Sequence, residues 1–327
     1  MKSLYKYIIL ILIILANVLL YIELGSAPPN HNHLDTVGED APYLVVLGIA
    51  QDAGYPQAGC QKECCAAVWK NHKMQRFVSC LAIVDPQTSQ RWILDATPDF
   101  KEQLRHLDEI APVENTPGIS GFFLTHAHIG HYTGLMHLGH EVMGAKNIPV
   151  FTMPRMQTFL GSNGPWDQLL RFNNISLKPI EDGKAVILNS RLTITPFLVP
   201  HRDEYSETVG YRIEGPNRSA IFIPDIDKWE KWNVSIEEMI AAVDVAYLDG
   251  TFYADGEIPG RNMAEIPHPF IEESMERFKA FPDSEKSKIR FIHLNHTNPA
   301  LIPESDAGKK IETNGFRVAA KWEVFGL

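Results

Sequence analysis

Positive charge is in deficit in this sequence. Its 327 residues hold 30 Lys and Arg against 40 Asp and Glu, a formal charge of −10, and no basic stripe gathers the cations. A nucleic-acid partner normally needs such a stripe, so that class of function is excluded. No low-complexity block, repeat or break in composition divides residues 43–327. Those 285 residues are read as one domain, enough to bury a sizeable core. Long hydrophobic runs are missing too, with one exception at 8–22, interrupted only by Asn17. Fifteen residues are short for a membrane span, which needs about 20.

That run follows Lys2 and Lys6, as an export signal does. Gly25-Ser26-Ala27 offers small residues for cleavage, although Pro28 would follow the cut directly. Residues 1–27 are therefore read as an export signal or an uncleaved membrane anchor. In both cases lysines kept inside deliver the rest of the chain to the periplasmic or other extracytoplasmic side. Residues 28–42 read as a solvated linker, and His31 and His33 within it as non-ligands.

Cysteine is scarce, and three of the four cysteines cluster as Cys60, Cys64 and Cys65 in GCQKECC. The fourth, Cys80, lies in the apolar stretch VSCLAIV and reads as a small buried hydrophobe. In an exported chain clustered cysteines first suggest disulfides. Adjacent Cys64 and Cys65 bridge each other only with strain, which leaves an odd thiol. A zinc site would need one more ligand from elsewhere.

Histidine is what the sequence spends on one place. Thr125-His126-Ala127-His128-Ile129-Gly130-His131 follows the apolar run Gly121-Phe122-Phe123-Leu124. Imidazole is the commonest protein ligand for zinc and related ions. At a strand end His126 and His128 share a side, and His131 at the mouth of a following helix can turn back toward them. Further strand-like runs end in donors: LTITPFLVP at His201, AIFIP at Asp225 and IRFI at His293. Arg202, next to His201, is the one cation placed near this group, with a plain surface arginine as the alternative.

Strands are expected at 43–49, 78–84, 92–94, 122–124, 150–152, 192–199, 209–213, 220–223 and 243–248, and helices at 98–107, 135–143, 236–242 and 270–280. Two successive series of strands with helices between them fit two sheets packed face to face, helices outside.

These motifs resemble the metallo-β-lactamase superfamily, whose HxHxDH motif is matched by His126-Ala127-His128-Ile129-Gly130-His131. Its later His, bridging Asp and last His match His201, Asp225 and His293 in order. Within it, GIAQDAGYPQAGC, ILDATPDFKEQL, HYTGL, VPHRDEYSETVGY and FIHLNHTNP resemble the pyrroloquinoline-quinone biosynthesis protein B group. The likeness runs from about Tyr43 to the C-terminus. It implies an αββα sandwich, two mixed β-sheets flanked by helices, with a metal site at one sheet edge. Some relatives hold a structural zinc by three first-loop cysteines and a His three residues beyond the last active-site His. That implies Cys60, Cys64, Cys65 and His296 here, with cysteine spacing that departs from theirs. A Cys3His set closes a tetrahedral site with no open position, which is structural chemistry. Disulfide and idle thiols remain alternatives.

Gly130 stands where the superfamily motif has a metal-binding Asp, so that ligand is absent. His126, His128 and His201 still make a three-histidine site. His131, His293 and a bridging Asp225 would make a weaker second one, and whether one or two metals bind stays open. Asp227, Asp99, Tyr132 and Asp52 are candidate substitutes, each with a structural alternative: Asp99 at a helix start and Asp52 in a turn before Gly54. The expected cofactors are one or two catalytic Zn2+ and one structural Zn2+, with Fe2+ or Mn2+ as options at the catalytic site.

The expected function is an exported hydrolase of a small-molecule ester, lactam or phosphodiester. A metal lowers the pKa of bound water toward about 7, and Asp225 would orient the resulting hydroxide and move its proton. Two alternatives stand beside it. One is an iron-dependent oxidative enzyme of the pyrroloquinoline-quinone type, because histidines with a carboxylate also suit ferrous iron. The other is a non-catalytic zinc-binding module whose second site is degraded at Gly130. Oligomeric state has no signature in the sequence.

Overall fold

Every residue of β1 (Tyr43–Gly48) and of β2 (Cys80–Asp85) is buried, so both strands are covered on both faces. Strands β3 (Gln90–Leu94), β4 (Gly121–Phe123), β5 (Ile148–Thr152) and β6 (Ile175–Pro179) follow in the first half of the chain. The second half supplies β7 (Val186–Ile187), β8 (Thr193–Leu198), β9 (Val209–Glu214), β10 (Ser219–Ile223), β11 (Val245–Asp249), β12 (Ile289–Ile292) and β13 (Arg317–Val318), and β14 (Val324–Gly326) closes it. They build two seven-stranded sheets, ordered β14-β1-β2-β3-β4-β5-β6 and β13-β12-β11-β10-β9-β8-β7. Each sheet is half antiparallel and half parallel, so both are mixed. This is the sandwich that the motifs imply.

The structure, a computed structural model, describes Gly38, residues 40–114 and residues 118–327. The expected export or anchor segment 1–27 lies outside them, as do linker residues 28–37. Among the described residues no helix is long and apolar enough to cross a membrane.

The inner faces meet through Leu44, Val46, Leu81 and Phe123 on one side and Ile194, Tyr211, Phe222 and Phe291 on the other, all fully buried. Tyr211 packs edge-on against Phe123, and its hydroxyl donates to the Leu124 carbonyl, so the core's polar atom is satisfied. Truncating such an aromatic to Ala typically costs about 3–5 kcal/mol.

Strand direction decides where function can sit. β2 is antiparallel to both β1 and β3, and β3, β4 and β5 are parallel, so β1, β3 and β4 all end at one edge. The same logic through β9 aligns β8, β10, β11 and β12. Open sheets bind ligands outside the carboxyl ends of such strands.

Outer helices behave as amphipathic segments. Phe100–Ile110 buries Phe100, Gln103 and Leu107, one face at i, i+3 and i+7. Residues 135–143 depart from the expected helix. They give a short 3₁₀ segment, Thr133–Leu138, because Gly139 turns extended (ψ 172°) and Gly144 takes φ +54°. Helices Glu63–Lys70, Pro154–Ser162, Trp166–Arg171 and Asp306–Thr313 were not expected from the sequence.

Candidate metal centre

Each donor sits just past a strand that ends at the shared edge. The β4 strand leads into His126, His128 and His131, β8 into His201, β10 into Asp225, and β12 into His293. The structure brings all six together. His126 Nε2 lies 2.8 Å from His128 Nδ1 and 3.4 Å from Asp225 Oδ2, and His201 Nε2 lies 3.5 Å from Asp225 Oδ1. Across the same carboxylate, Asp225 Oδ2 is 3.4 Å from His131 Nε2 and 3.6 Å from His293 Nε2. Asp225 thus stands between two donor groups, His126/His128/His201 and His131/His293.

Asp52 joins the second group, with Oδ1 3.1 Å from His131 Nε2 and 3.5 Å from His293 Nε2. Of the candidate substitutes for Gly130 it is the one that reaches the centre. Asp99 instead accepts from the Val78 amide, Asp227 pairs with Lys231, and Tyr132 packs between Phe159 and Trp166.

The donors fit metal ions rather than one another. His131 Nε2, His201 Nε2, His293 Nε2, Asp52 Oδ1 and Asp225 Oδ1 are buried and make no hydrogen bond, although neighbours lie 3.1–3.6 Å away. A buried polar atom left unpaired costs about 1–3 kcal/mol. Ligands held about 2.1 Å from a tetrahedral ion stand roughly 3.4 Å apart, which matches these spacings. Nitrogen and oxygen donors of this kind suit Zn2+, Fe2+ or Mn2+ alike.

A supporting layer fixes the rings. His131 Nδ1 is 2.7 Å from Asp95 Oδ2, whose carboxylate also accepts from the Thr125 amide and hydroxyl. His293 Nδ1 meets Thr251 Oγ1 at 2.9 Å, and that hydroxyl donates on to Asp249. Glu204 Oε2 lies 3.0 Å from His128 Nε2. Asp95 and His293 both hold φ +66°, a left-handed conformation uncommon outside glycine and kept where the surroundings over-determine it.

Charge is set by this packing. Burial alone would raise the Asp225 pKa, but facing His201, His293 and His268 hold it well below the usual carboxylate range. Burial lowers His201 to about 4, so its ring is neutral and ready to ligate at neutral pH. Burial also opposes protonation of His131, yet Asp95, Asp225 and Asp52 outweigh it and raise its pKa well above the usual value.

Besides the supporting Asp95, Thr251 and Glu204, the sequence did not point to His268 or Asp249. Buried His268 presents Nδ1 to Asp249 Oδ2 at 2.8 Å and to Asp225 Oδ1 at 3.1 Å. Asp249 ends β11 as Asp225 follows β10, so the strand-end pattern could have found it. His268 lies between Pro267 and Pro269 outside any regular element, where no periodicity points to it. Arg202 is 54% exposed and faces Glu204 at 3.5 Å, so it stands at the rim rather than in the centre.

A separate donor group lies behind the centre. Cys60 Sγ and Cys64 Sγ are 3.7 Å apart, and His296 Nδ1 is 3.7 Å from Cys64 Sγ and 3.4 Å from Cys65 Sγ. The sulfur spacing is far beyond an S–S bond of about 2.05 Å, and none of the four cysteines is in a disulfide. With zinc–sulfur bonds of about 2.3 Å these separations suit one tetrahedral ion. Residues 52–65 and 293–296 therefore serve both places. Asp52 and His293 face the centre, while the cysteines and His296 face the second cluster.

Comparison with known proteins agrees with this geometry. The family model described as a beta-lactamase superfamily domain matches residues 90–319. Coenzyme PQQ synthesis protein B of Gluconobacter oxydans strain 621H is 27% identical over 320 residues, 87% of this chain and 98% of its own. The protein of that name from Methylobacterium nodulans is 26% identical over 310 residues, 86% of this chain and 96% of its own. Zn2+-bound PqqB from Methylobacterium extorquens superposes with a TM-score of 0.73 at 23% identity, covering 87% of this chain and 100% of that one. A diphosphatase of the PhnP family gives 0.63 at 17% identity, covering 88% and 97%. Fold, strand-end donors and sequence agree: the chain belongs to the metallo-β-lactamase superfamily and is PqqB-like.

Proposed function

We propose that this chain is a PqqB-like metal-dependent enzyme that oxidises a small organic precursor, in the manner of coenzyme assembly. The observation that carries the reading is the near full-length match to coenzyme PQQ synthesis protein B, 85–87% of this chain and 96–98% of those relatives. It supports the pyrroloquinoline-quinone-type oxidative reading ahead of the general hydrolysis that the histidine motif alone implies. His126, His128, His201 and Asp225 would hold one metal, and His131, His293 and Asp225 would frame a second. Ferrous iron would supply redox chemistry with dioxygen as oxidant, whereas zinc or manganese would supply Lewis acidity alone.

The protein's own groups orient and move protons. Asp249 Oδ2 accepts from His268 Nδ1, and Asp225 Oδ1 lies 3.1 Å from that nitrogen, so the two carboxylates hold a proton on the ring beside the centre. Glu204 steadies the His128 ring from the cleft mouth. Arg202, the arginine of the rim, is turned to Glu204. That arrangement supports a substrate without a phosphate group to clamp.

The His268–Asp249 pair favours a second reading, hydrolysis of an ester or lactam, because a held proton also serves a leaving group. Metal analysis of anaerobically purified protein separates the two. Bound iron with oxygen consumption on aromatic amino-acid-derived precursors supports oxidation. Zinc-dependent turnover of an ester and lactam panel without oxygen uptake replaces it with hydrolysis, and no turnover under any loading leaves a zinc-binding module. We also propose delivery of residues 43–327 across a membrane, supported by the apolar run 8–22 behind Lys2 and Lys6. Recovery of the tagged full chain in the cytosolic fraction would refute that.

A further inference from the structure

We infer that the carboxylate missing at Gly130 has been relocated: Asp52, from the loop after β1, is the terminal ligand of the second metal position. The inference rests on the reading of this centre as a metal site. Three independent observations meet here.

The first is steric. A Cβ placed on Gly130 would lie 2.3 Å from Asp52 Oδ1 and 2.4 Å from Asp52 Cα. Real Cβ atoms do not approach that closely, so no residue with a side chain fits at 130 while the Asp52 loop stays where it is. Gly130 is thus not a decayed ligand position. It is the space that lets a different carboxylate in.

The second is chemical. Asp52 Oδ1 is buried without a hydrogen bond, and so are the two nitrogens it faces, His131 Nε2 and His293 Nε2. Both rings are fully buried, and their other nitrogens are already engaged by Asp95 and Thr251. Three unpaired donors converge with Asp225 Oδ2 on one point, and a shared cation satisfies them all.

The third is architectural. The loop that carries Asp52 is pinned on both sides. Gly48 approaches the Val78 carbonyl so closely that a Cβ there would sit 1.9 Å from its oxygen. Beyond it the Ile49 and Ala50 amides donate to the Phe77 carbonyl, the Gln51 amide donates to Leu294, and the Leu294 amide donates to Ile49. Asp52 is therefore held against the residue that follows His293. Backbone pinning of this kind places a ligand as firmly as a strand end does.

The test is metal binding by the full-length protein, with Zn2+ and Co2+ as probes, read by elemental analysis and calorimetry. Asp52→Asn keeps the side-chain volume and should lose one equivalent at the centre, its affinity falling by more than about 100-fold. Retention of the His126-side ion would mark the loss as local. Gly130→Ala alters no ligand residue but displaces the Asp52 loop, and should weaken the same equivalent. It keeps the question answerable if Asp52→Asn misfolds. Unchanged stoichiometry and affinity in both variants would overturn the inference while leaving the metal reading intact. A wild-type chain that binds metal only at the cysteine cluster would overturn that reading, and this inference with it.

Discussion

The two halves of the centre are built by different rules. The His126/His128/His201 side takes two ligands from one short motif and the third from a single strand end. The opposite side gathers Asp52, His131 and His293 from three segments 241 residues apart at their furthest, 52 to 293, and each ring leans on a buried partner. One half is local in sequence and recognisable as a pattern. The other is assembled by tertiary structure, and its parts carry meaning only once the sheets are paired.

The largest expected effect breaks the contrast altogether. Asp225 belongs to both halves, so Asp225→Ala should remove both ions at once and lower any turnover by more than about 100-fold, leaving the cysteine-cluster ion in elemental analysis. Loss of one ion alone would show that Asp225 is not shared. His268→Gln should sharpen the contrast in the other direction. Its Nδ1 faces the shared Asp225 but none of the six outer donors, so the metal count should hold while kcat falls by roughly 10²–10⁴. A count that drops with it would make His268 a ligand instead.

His296→Ala comes next, since it acts on a third place. It should remove one zinc and lower the Tm by roughly 10 °C, with both centre ions kept, because the metal's binding energy there is folding energy. An unchanged metal count would mean that the cysteines hold no ion. Glu204→Gln should weaken the His126 side alone, by about tenfold, through a looser His128 ring. Equal weakening of both ions in calorimetry would refute a local role.

Acid should separate the halves by the smallest margin. His201, lowered by burial to about 4, stays neutral as pH falls below its unfolded value and protonates only as pH approaches about 4. His131, raised by Asp95 and its neighbours, already favours the proton, so proton and metal compete there at higher pH. The second ion should therefore leave first on titration from pH 7 to 5. For stability the sign follows the same lines. His201 contributes fully above its unfolded pKa and loses that contribution as pH falls toward 4, whereas His131 contributes below its unfolded pKa and loses as pH rises through its folded value.

Much of the fold was legible because its strands are apolar runs with polar ends. AIFIP and IRFI read as buried strands, and their following Asp225 and His293 as strand-end donors. Of the four missed strands, β7, β13 and β14 are two or three residues long, too short for any alternation to register, and β6, Ile175–Pro179, buries only Ile175. Helix Pro154–Ser162 buries only Met156 and Leu160, too thin a stripe to stand out. At the site, Asp52 looked like a turn residue because it is one: Gln51 and Gly54 close a turn around it. Its side chain gains a role only from bridges between Ala50 and both Val78 and Leu294, which no local pattern encodes. Glu204 and Thr251 are hidden for the same reason.

Two short stretches of chain, 52–65 and 293–296, are buttoned together twice, by Cys60, Cys64, Cys65 and His296 at one place and by Asp52 and His293 at the other. Fastening either button holds the facing residues of the other at high effective concentration. Metal uptake at the two places would then be thermodynamically linked, and reciprocally: whatever a zinc among the thiols added to affinity at the second position, an ion there would return to the thiols. A chelator or oxidant that reaches only the half-exposed Cys60 and Cys64 would loosen an ion it never touches.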